Sequence, residues 1–367
     1  MLSYIIRIDR GHFANAVAAA RRKQQTETGK AAGEGEDRFM PAAETTRFAP
    51  SPTGRLHLGH VRAAAFAKAS AKAGRFYLRS EDIDPGRCRA EFVDAIMDDL
   101  AWLGLNWVGH VRRQSERLPL YQAALDRLDA DGLLYPCFCT RADIMAEIDA
   151  AGGAPHGPDG ALYPGTCRSL PAAERAARVA AGEPHALRLD MNAASRRAGP
   201  LTWRDLKRGV IQARPDRFGD VVLARKDIKT SYHLAVVVDD AEQGITLVTR
   251  GEDLVPATDV HRLLQELLDL PVPRWEHHDL LTGPDGERLA KRDQALTVTA
   301  LREAGRTPAE IIAQATGQTL PCAASSPAPH RHAVTASPTS RAEPSKPGGT
   351  KPTEPAGRVA PAGRARS

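Results

Sequence analysis

The chain has 367 residues, of which 42% are hydrophobic, with 50 Lys and Arg against 45 Asp and Glu for a formal net charge of +5. That length supports one large or two modest domains with a substantial core, and no apolar run suits a signal peptide or a membrane span, so secreted and membrane-embedded classes are not expected. The basic balance is no nucleic-acid footprint of a folded domain either, because residues 321–367 alone carry seven Lys and Arg against two Glu, a net of +5.

Residues 1–44 open with a few apolar positions and an Ala-rich, Arg-ended run, then turn polar and Gly-rich. They are expected to be a disordered extension; a mitochondrial presequence is one reading, and a true start at Met40 is another. The stretch Arg47 to His60, RFAPSPTGRLHLGH, is the most specific piece of the chain. Arg47-Phe48-Ala49 reads as a strand end, Pro50-Ser51-Pro52-Thr53-Gly54 as an ordered turn, and His57-Leu58-Gly59-His60 as the opening of a helix. First-turn N–H groups and the positive end of the helix dipole favour an anion there, and Gly59 lets a flat base approach the backbone. A strand over 75–79 follows, with Glu81 in the loop after it, and a helix over 91–103 places Phe92, Ile96, Leu100 and Leu103 at helical spacing. This βαβα order predicts an α/β fold with a parallel sheet and binding residues at the carboxyl ends of its strands.

A helix is expected over 118–130, stopped by Gly132, and the pattern then changes to a small insertion spanning 136–224 with a helix from 141 and a hairpin near 203–210. Sheet is expected to return at 233–240, HLAVVVDD, whose near-continuous apolar run suits a strand buried on both faces. A strand over 245–249 follows, then a helix over 258–268, and a final helix near 307–316 opens on Thr-Pro-Ala-Glu as N-cap and first-turn proline. The nucleotide-binding core therefore comprises 45–135 and 225–320. Residues 321–367, rich in Pro, Ala, Ser, Gly and Arg, cannot offset their ordering entropy and are expected to be a disordered tail.

Five cysteines without a secretory signal point to a reducing compartment, the cytoplasm. Cys137, Cys139 and Cys167 cluster in the insertion, whereas Cys88 and Cys322 stand apart. Three thiolates with a fourth N or O ligand suit one structural Zn²⁺, which stabilises an insertion too thin for a core of its own. His156 is the chemically ordinary candidate for the fourth ligand. The other reading is three buried or free thiols, since CxC is a weaker pattern than CxxC.

RFAPSPTGRLHLGH resembles the HIGH signature of class I aminoacyl-tRNA synthetases, in their glutamyl and glutaminyl branch. Downstream, Arg288-Leu289-Ala290-Lys291-Arg292 is similar to the lysine loop of that family, with one lysine kept and both serines replaced. The resemblance covers about residues 45–316 and implies a Rossmann-like parallel-sheet catalytic core with a small zinc-binding insertion. It implies that ATP with Mg²⁺ meets His57, Gly59, His60 and Lys291, of which His57, His60 and Lys291 are the catalytic set. It places L-glutamate against Arg47, Phe48, Ala49, Pro50, Ser51, Glu81, Tyr232 and Arg250, with the two arginines on carboxylates and Glu81 on the ammonium. Paired guanidinium bonds of this kind reject the neutral amide of glutamine. It also offers Tyr163 as the fourth zinc ligand. The short form, with a CxC…YxxxC insertion and only one or two helices after Lys291, resembles the branch that activates glutamate without tRNA and attaches it to the queuosine base of tRNA(Asp). A monomer without membrane contact is expected. Two other readings stay open: a truncated or split glutamate–tRNA ligase that charges a tRNA 3′ end, and a non-catalytic zinc-containing tRNA-binding paralogue.

Overall fold

The computed structural model describes residues 43–150, 156–281 and 297–317. The lysine loop at 288–292, the alternative start at Met40 and the tail from 321 lie outside the described residues. Strands β1 (Thr45–Phe48), β2 (Arg75–Ser80) and β3 (Arg112–Arg113) form a parallel sheet in that order, with Arg47 opposite Tyr77. β4 (Leu134–Cys137) opens a separate layer, and β5 (His156–Gly157) and β6 (Gly160–Ala161) form a minimal hairpin beside it in sequence. β7 (Ala186–Leu189) pairs antiparallel with β4. β8 (Thr202–Asp205) and β9 (Gly209–Gln212) make the hairpin expected near 203–210. β10 (Val222–Ala224) completes the antiparallel layer in the order β10-β7-β4.

Finally, β11 (Leu247–Gly251) and β12 (Arg274–His278) run parallel with Arg250 opposite His277, and β12 continues parallel to β8 through Trp275 and Asp205. The parallel pairing expected from the βαβα order is present in β1 to β3 and again in β11 to β12. The Thr246 N–H donates to the Thr45 carbonyl at 3.0 Å, and the Thr45 N–H to Thr246 Oγ1 at 2.9 Å, which sets β1 alongside the start of β11. Strand ends carrying Arg47, Glu81 and Arg250 are thereby brought to one crevice.

The helices Leu58–Ala71, Ala90–Trp102, Leu118–Ala130 and Arg141–Ala150 stand where hydrophobic spacing and turn residues predict them. The helix Pro308–Thr316 is capped as its sequence predicts. Thr307 accepts from the Glu310 N–H while Glu310 accepts from the Thr307 N–H, and Pro308 occupies a first-turn position where no N–H is needed.

One expectation is overturned. Residues 233–240 are not a strand but the middle of a helix, Tyr232–Gln243, with Ser231 as N-cap and Gly244 at φ 66° closing its C-terminus. A helix buried on nearly every side carries the same continuous apolar text as a strand buried on two faces. Leu234, Ala235, Val236, Val237, Val238 and Ala241 all sit in the main core with Leu263, Leu264 and Trp275, so burial overrides the strand preference of three consecutive valines. Among the described residues no helix is long and apolar enough to cross a membrane.

Candidate functional site

A cavity of about 440 Å³ opens where β1, β2 and β11 end. Arg47, Phe48, Ala49, Ser51, Glu81, Tyr232 and Arg250 all line it, with Ala63, Thr249, Gly251 and Leu254. Seven of the eight residues expected to hold glutamate therefore share one space. The eighth, Pro50, does not line it; its carbonyl accepts the Glu81 N–H at 3.0 Å and so fixes the start of the loop that carries Glu81.

The charges around this cavity are unequal. Arg47 is buried and gives its fork to Asp240, Nε to Oδ1 at 2.9 Å and Nη2 to Oδ2 at 3.2 Å, with Nη1 on the Thr249 carbonyl. Arg79, fully buried, shares the same carboxylate at 2.7 Å and reaches Glu81 at 3.2 Å. The adjacent Asp239 accepts from Gln114, Arg117 and Tyr121. Burial alone raises the Asp240 carboxyl, but the Arg47 and Arg79 guanidiniums outweigh it and hold the group below the usual carboxylate range. Glu81 goes the other way: burial lifts its carboxyl above the ordinary range against the pull of Arg79 and Arg47.

Arg250, 7% exposed, has no such counter-ion. Its Nε donates to His277 Nε2 at 3.2 Å, Nη1 meets His261 Nδ1 at 3.1 Å and the Tyr232 hydroxyl at 3.4 Å, and Nη2 donates to Thr258 Oγ1 at 2.6 Å. Every one of these acceptors is neutral, and no carboxylate among the described residues lies within ion-pair distance. Burial works against its charge, and so does the Arg47 guanidinium, with Tyr232 in partial opposition. A buried cation at a cavity wall without a carboxylate partner is a site that gains by taking an anion. Glu81, which lines the same cavity, is a carboxylate whose charge burial disfavours, and such a group gains by taking a cation.

The HLGH turn is built by its own histidines. His57 is the N-cap of the helix Leu58–Ala71, and its Nδ1 accepts the Gly59 N–H at 3.1 Å. His60 Nδ1 accepts the His57 N–H at 3.3 Å, and the two rings stack at 3.8 Å between centroids. With each Nδ1 used as an acceptor, the neutral rings carry their protons on Nε2, the nitrogen suited to donate to a phosphate oxygen. A Cβ on Gly59 would come within 2.9 Å of His57 Cε1, so the glycine makes room for the imidazole of the cap. Neither histidine lines the 440 Å³ cavity, and Lys291 lies outside the described residues.

In the antiparallel layer the Sγ atoms of Cys137, Cys139 and Cys167 lie within 4.8 Å of one another. The Tyr163 hydroxyl stands 3.5 Å from Cys137 Sγ and 3.6 Å from Cys139 Sγ, and accepts the Cys167 N–H at 2.8 Å. A tetrahedral zinc with Zn–S near 2.3 Å and Zn–O near 2.0 Å sets S···S at about 3.8 Å and S···O at about 3.5 Å. The four residues fit such an ion. Arg188 lies over the Tyr163 ring at 3.8 Å, a cation–π contact that helps hold the ring in place. The side chain of His156, the alternative fourth ligand, lies outside the described residues.

Arg79, Asp239, Asp240, His261 and His277 escape the sequence reading. The two aspartates close the segment read as a strand, and a helix ending at Gly244 would have turned them toward Arg47 and Arg79. For His261 and His277 only the register of Arg250 opposite His277 could have given notice.

Residues 44–323 match the family described as tRNA synthetases class I (E and Q), catalytic domain. The chain is 50% identical over 274 residues to a glutamyl-Q tRNA(Asp) synthetase of Rhodobacter capsulatus, covering 72% of this chain and 97% of that one. It is 45% identical over 278 residues to a protein of the same name from Symbiobacterium thermophilum, covering 72% and 83%. With a glutamate–tRNA ligase of Aquifex aeolicus the identity is 41% over 271 residues, 73% of this chain and 55% of the relative. Among solved structures it is similar to a glutamate tRNA ligase from Elizabethkingia meningosepticum crystallised with its amino acid, at TM-score 0.62 and 29% identity. That overlap takes in 75% of this chain and 60% of the crystallised one, so the chain spans about three fifths of that structure.

Proposed function

The chain belongs to the class I tRNA synthetases of the E and Q group and is a ligase, and on that premise we propose that it activates L-glutamate with ATP, without tRNA, and passes it to the queuosine base of tRNA(Asp). The observation that carries the amino-acid choice is the pairing, across one cavity, of Glu81 with an Arg250 whose partners are all neutral. Glutamate brings an ammonium for the first and carboxylates for the arginines. Glutamine brings an amide in place of one carboxylate and leaves a buried guanidinium without its anion, a loss that hydrogen-bonding sites convert into strong discrimination.

In the activation step an α-carboxylate oxygen of glutamate attacks the α-phosphorus of ATP. The bond to the β-phosphate bridge breaks in line, and pyrophosphate leaves with the bonding electrons. The protein supplies position and charge neutralisation rather than a nucleophile. His57 and His60, fixed by the helix cap with Nε2 as the proton-bearing nitrogen, would donate to the phosphates, and Lys291 would hold the departing pyrophosphate end of ATP, whose Mg²⁺ enters with it as substrate. Glu81 and Arg250 hold the amino acid at its two ends while Arg47, locked on Asp240, closes the wall between them. Cys137, Cys139, Tyr163 and Cys167 would hold a structural zinc that ties β4 to the segment before β7, away from the reacting atoms.

The acceptor assignment is supported by relatives named glutamyl-Q tRNA(Asp) synthetase at 44–50% identity, one of which is matched over 97% of its length. Labelled glutamate is expected on tRNA(Asp) that carries queuosine and not on the same tRNA with guanine at that position. Label at the 3′ end of tRNA(Glu) would assign the chain to ordinary charging instead.

A further inference from the structure

Around the glutamate cavity the two buried arginines are supported in opposite ways. Arg47 is bound through both nitrogens of its fork to the Asp240 carboxylate. Arg250 is gripped as tightly in number of bonds, but two of its acceptors are imidazole nitrogens, His277 Nε2 and His261 Nδ1. Each imidazole is itself oriented from behind. His277 Nδ1 lies 2.7 Å from Asp205 Oδ2, and Asp205 is pinned by the backbone N–H groups of Lys207 and Arg208 at 2.8 and 2.9 Å. With Nδ1–H donating to that carboxylate, Nε2 is left as an acceptor aimed at Arg250. His261 Nε2 lies 3.2 Å from His233 Nδ1, so its Nδ1 is the acceptor for Arg250. Both rings are buried, at 3% and 1% exposure, and Thr258 fills the remaining inner position. One Nη2 hydrogen of Arg250 has no acceptor among the described residues.

We propose that His261 and His277 are positioning residues for substrate recognition: they orient the Arg250 guanidinium through imidazole nitrogens instead of carboxylates, leaving its charge for the carboxylate of the ligand. A carboxylate at either position would hold the guanidinium equally still and also neutralise it. The carboxylate of Asp205 is kept one imidazole away, so it fixes the geometry of Arg250 without occupying its binding edge. This inference rests on the assignment of glutamate to the cavity and extends it to residues that do not touch the substrate.

The test is ATP–pyrophosphate exchange on the full chain, with kcat and KM read separately for glutamate and ATP. H261L and H277L remove the acceptor, H261Q and H277Q keep a neutral one, and H261E adds a carboxylate. Loss of one hydrogen bond to a charged group implies a rise in the glutamate KM on the order of 10- to 100-fold in the leucine variants. The ATP KM is expected to stay within about twofold, since the phosphates lie at the other helix, and the glutamine variants should recover most of the loss. H261E is expected to melt no lower than the unsubstituted protein, because it completes an ion pair, and yet to bind glutamate worst of all. That opposition of stability and affinity is what a purely structural role would not produce, and it decides the matter even if a leucine variant fails to fold. Unchanged glutamate KM in the leucine variants, or tight glutamate binding by H261E, overturns the inference while leaving the glutamate assignment standing. Absence of glutamate-dependent exchange in the unsubstituted protein overturns both.

Discussion

Asp205, His277 and Arg250 form a buried line in which each group's protonation is set by the next. Burial and the Arg250 charge push the His277 imidazole down to about 4, against the pull of Asp205. Burial raises the Asp205 carboxyl, but the His277 hydrogen bond and two backbone N–H groups outweigh it and hold it low. The sign of the histidine contribution follows from linkage. Its folded value lies below the 6.5 of the free side chain, so only the unfolded chain takes up the proton as pH falls below 6.5. The stability present above that pH is lost progressively down to about 4, amounting to about 3 kcal/mol at 1.36 kcal/mol per unit. Asp205 acts in the same direction at the acid end of the window. Urea unfolding at pH 7 and pH 4.5 should show this slope, and H277Q should flatten it; an equal slope in the variant would contradict the account.

At the scale of elements, the two helices that matter to the site contrast in how well their text announces them. Leu58–Ala71 is announced by an N-terminal turn that names its own cap, and the reciprocal bonds of His57 and His60 explain the spacing of the motif in backbone terms. Gly59→Ala should force the His57 ring out of the cap, costing about 1 kcal/mol as lost N-caps do and raising the KM for ATP; melting and exchange kinetics unchanged from the parent would contradict that role. Tyr232–Gln243 is not announced, because three valines in a run say strand and its aspartates say turn. Length separates the two readings, since Ser231 to Gly244 spans more residues than a buried strand usually has. The strand-end residues Arg47, Glu81 and Arg250 were legible through the family resemblance, and their place at strand ends agrees with a parallel sheet that collects binding groups at one edge. The layer behind them was not: Arg47 and Arg79 meet Asp240 across more than 150 positions, and the histidines meet Arg250 and Asp205 across separate elements, which no local pattern records.

At the scale of the molecule, the antiparallel layer β10-β7-β4 has its own small cluster of Tyr135, Cys137, Phe138, Cys167 and Ala186, too few residues to make it rigid unaided. One zinc per chain is expected by metal analysis, and its removal by a chelator should lower the melting temperature, with Tyr163→Phe reducing metal retention roughly 10-fold or more. Protein that is metal-free as purified and melts unchanged in chelator would contradict the metal. The central claim, that this chain by itself makes an adenylate from glutamate, is tested most directly by ATP–pyrophosphate exchange without tRNA. Exchange that requires glutamate, is not supported by glutamine and does not rise when tRNA is added is the predicted result. Exchange that begins only on addition of tRNA, or that glutamine supports as well as glutamate, would contradict it.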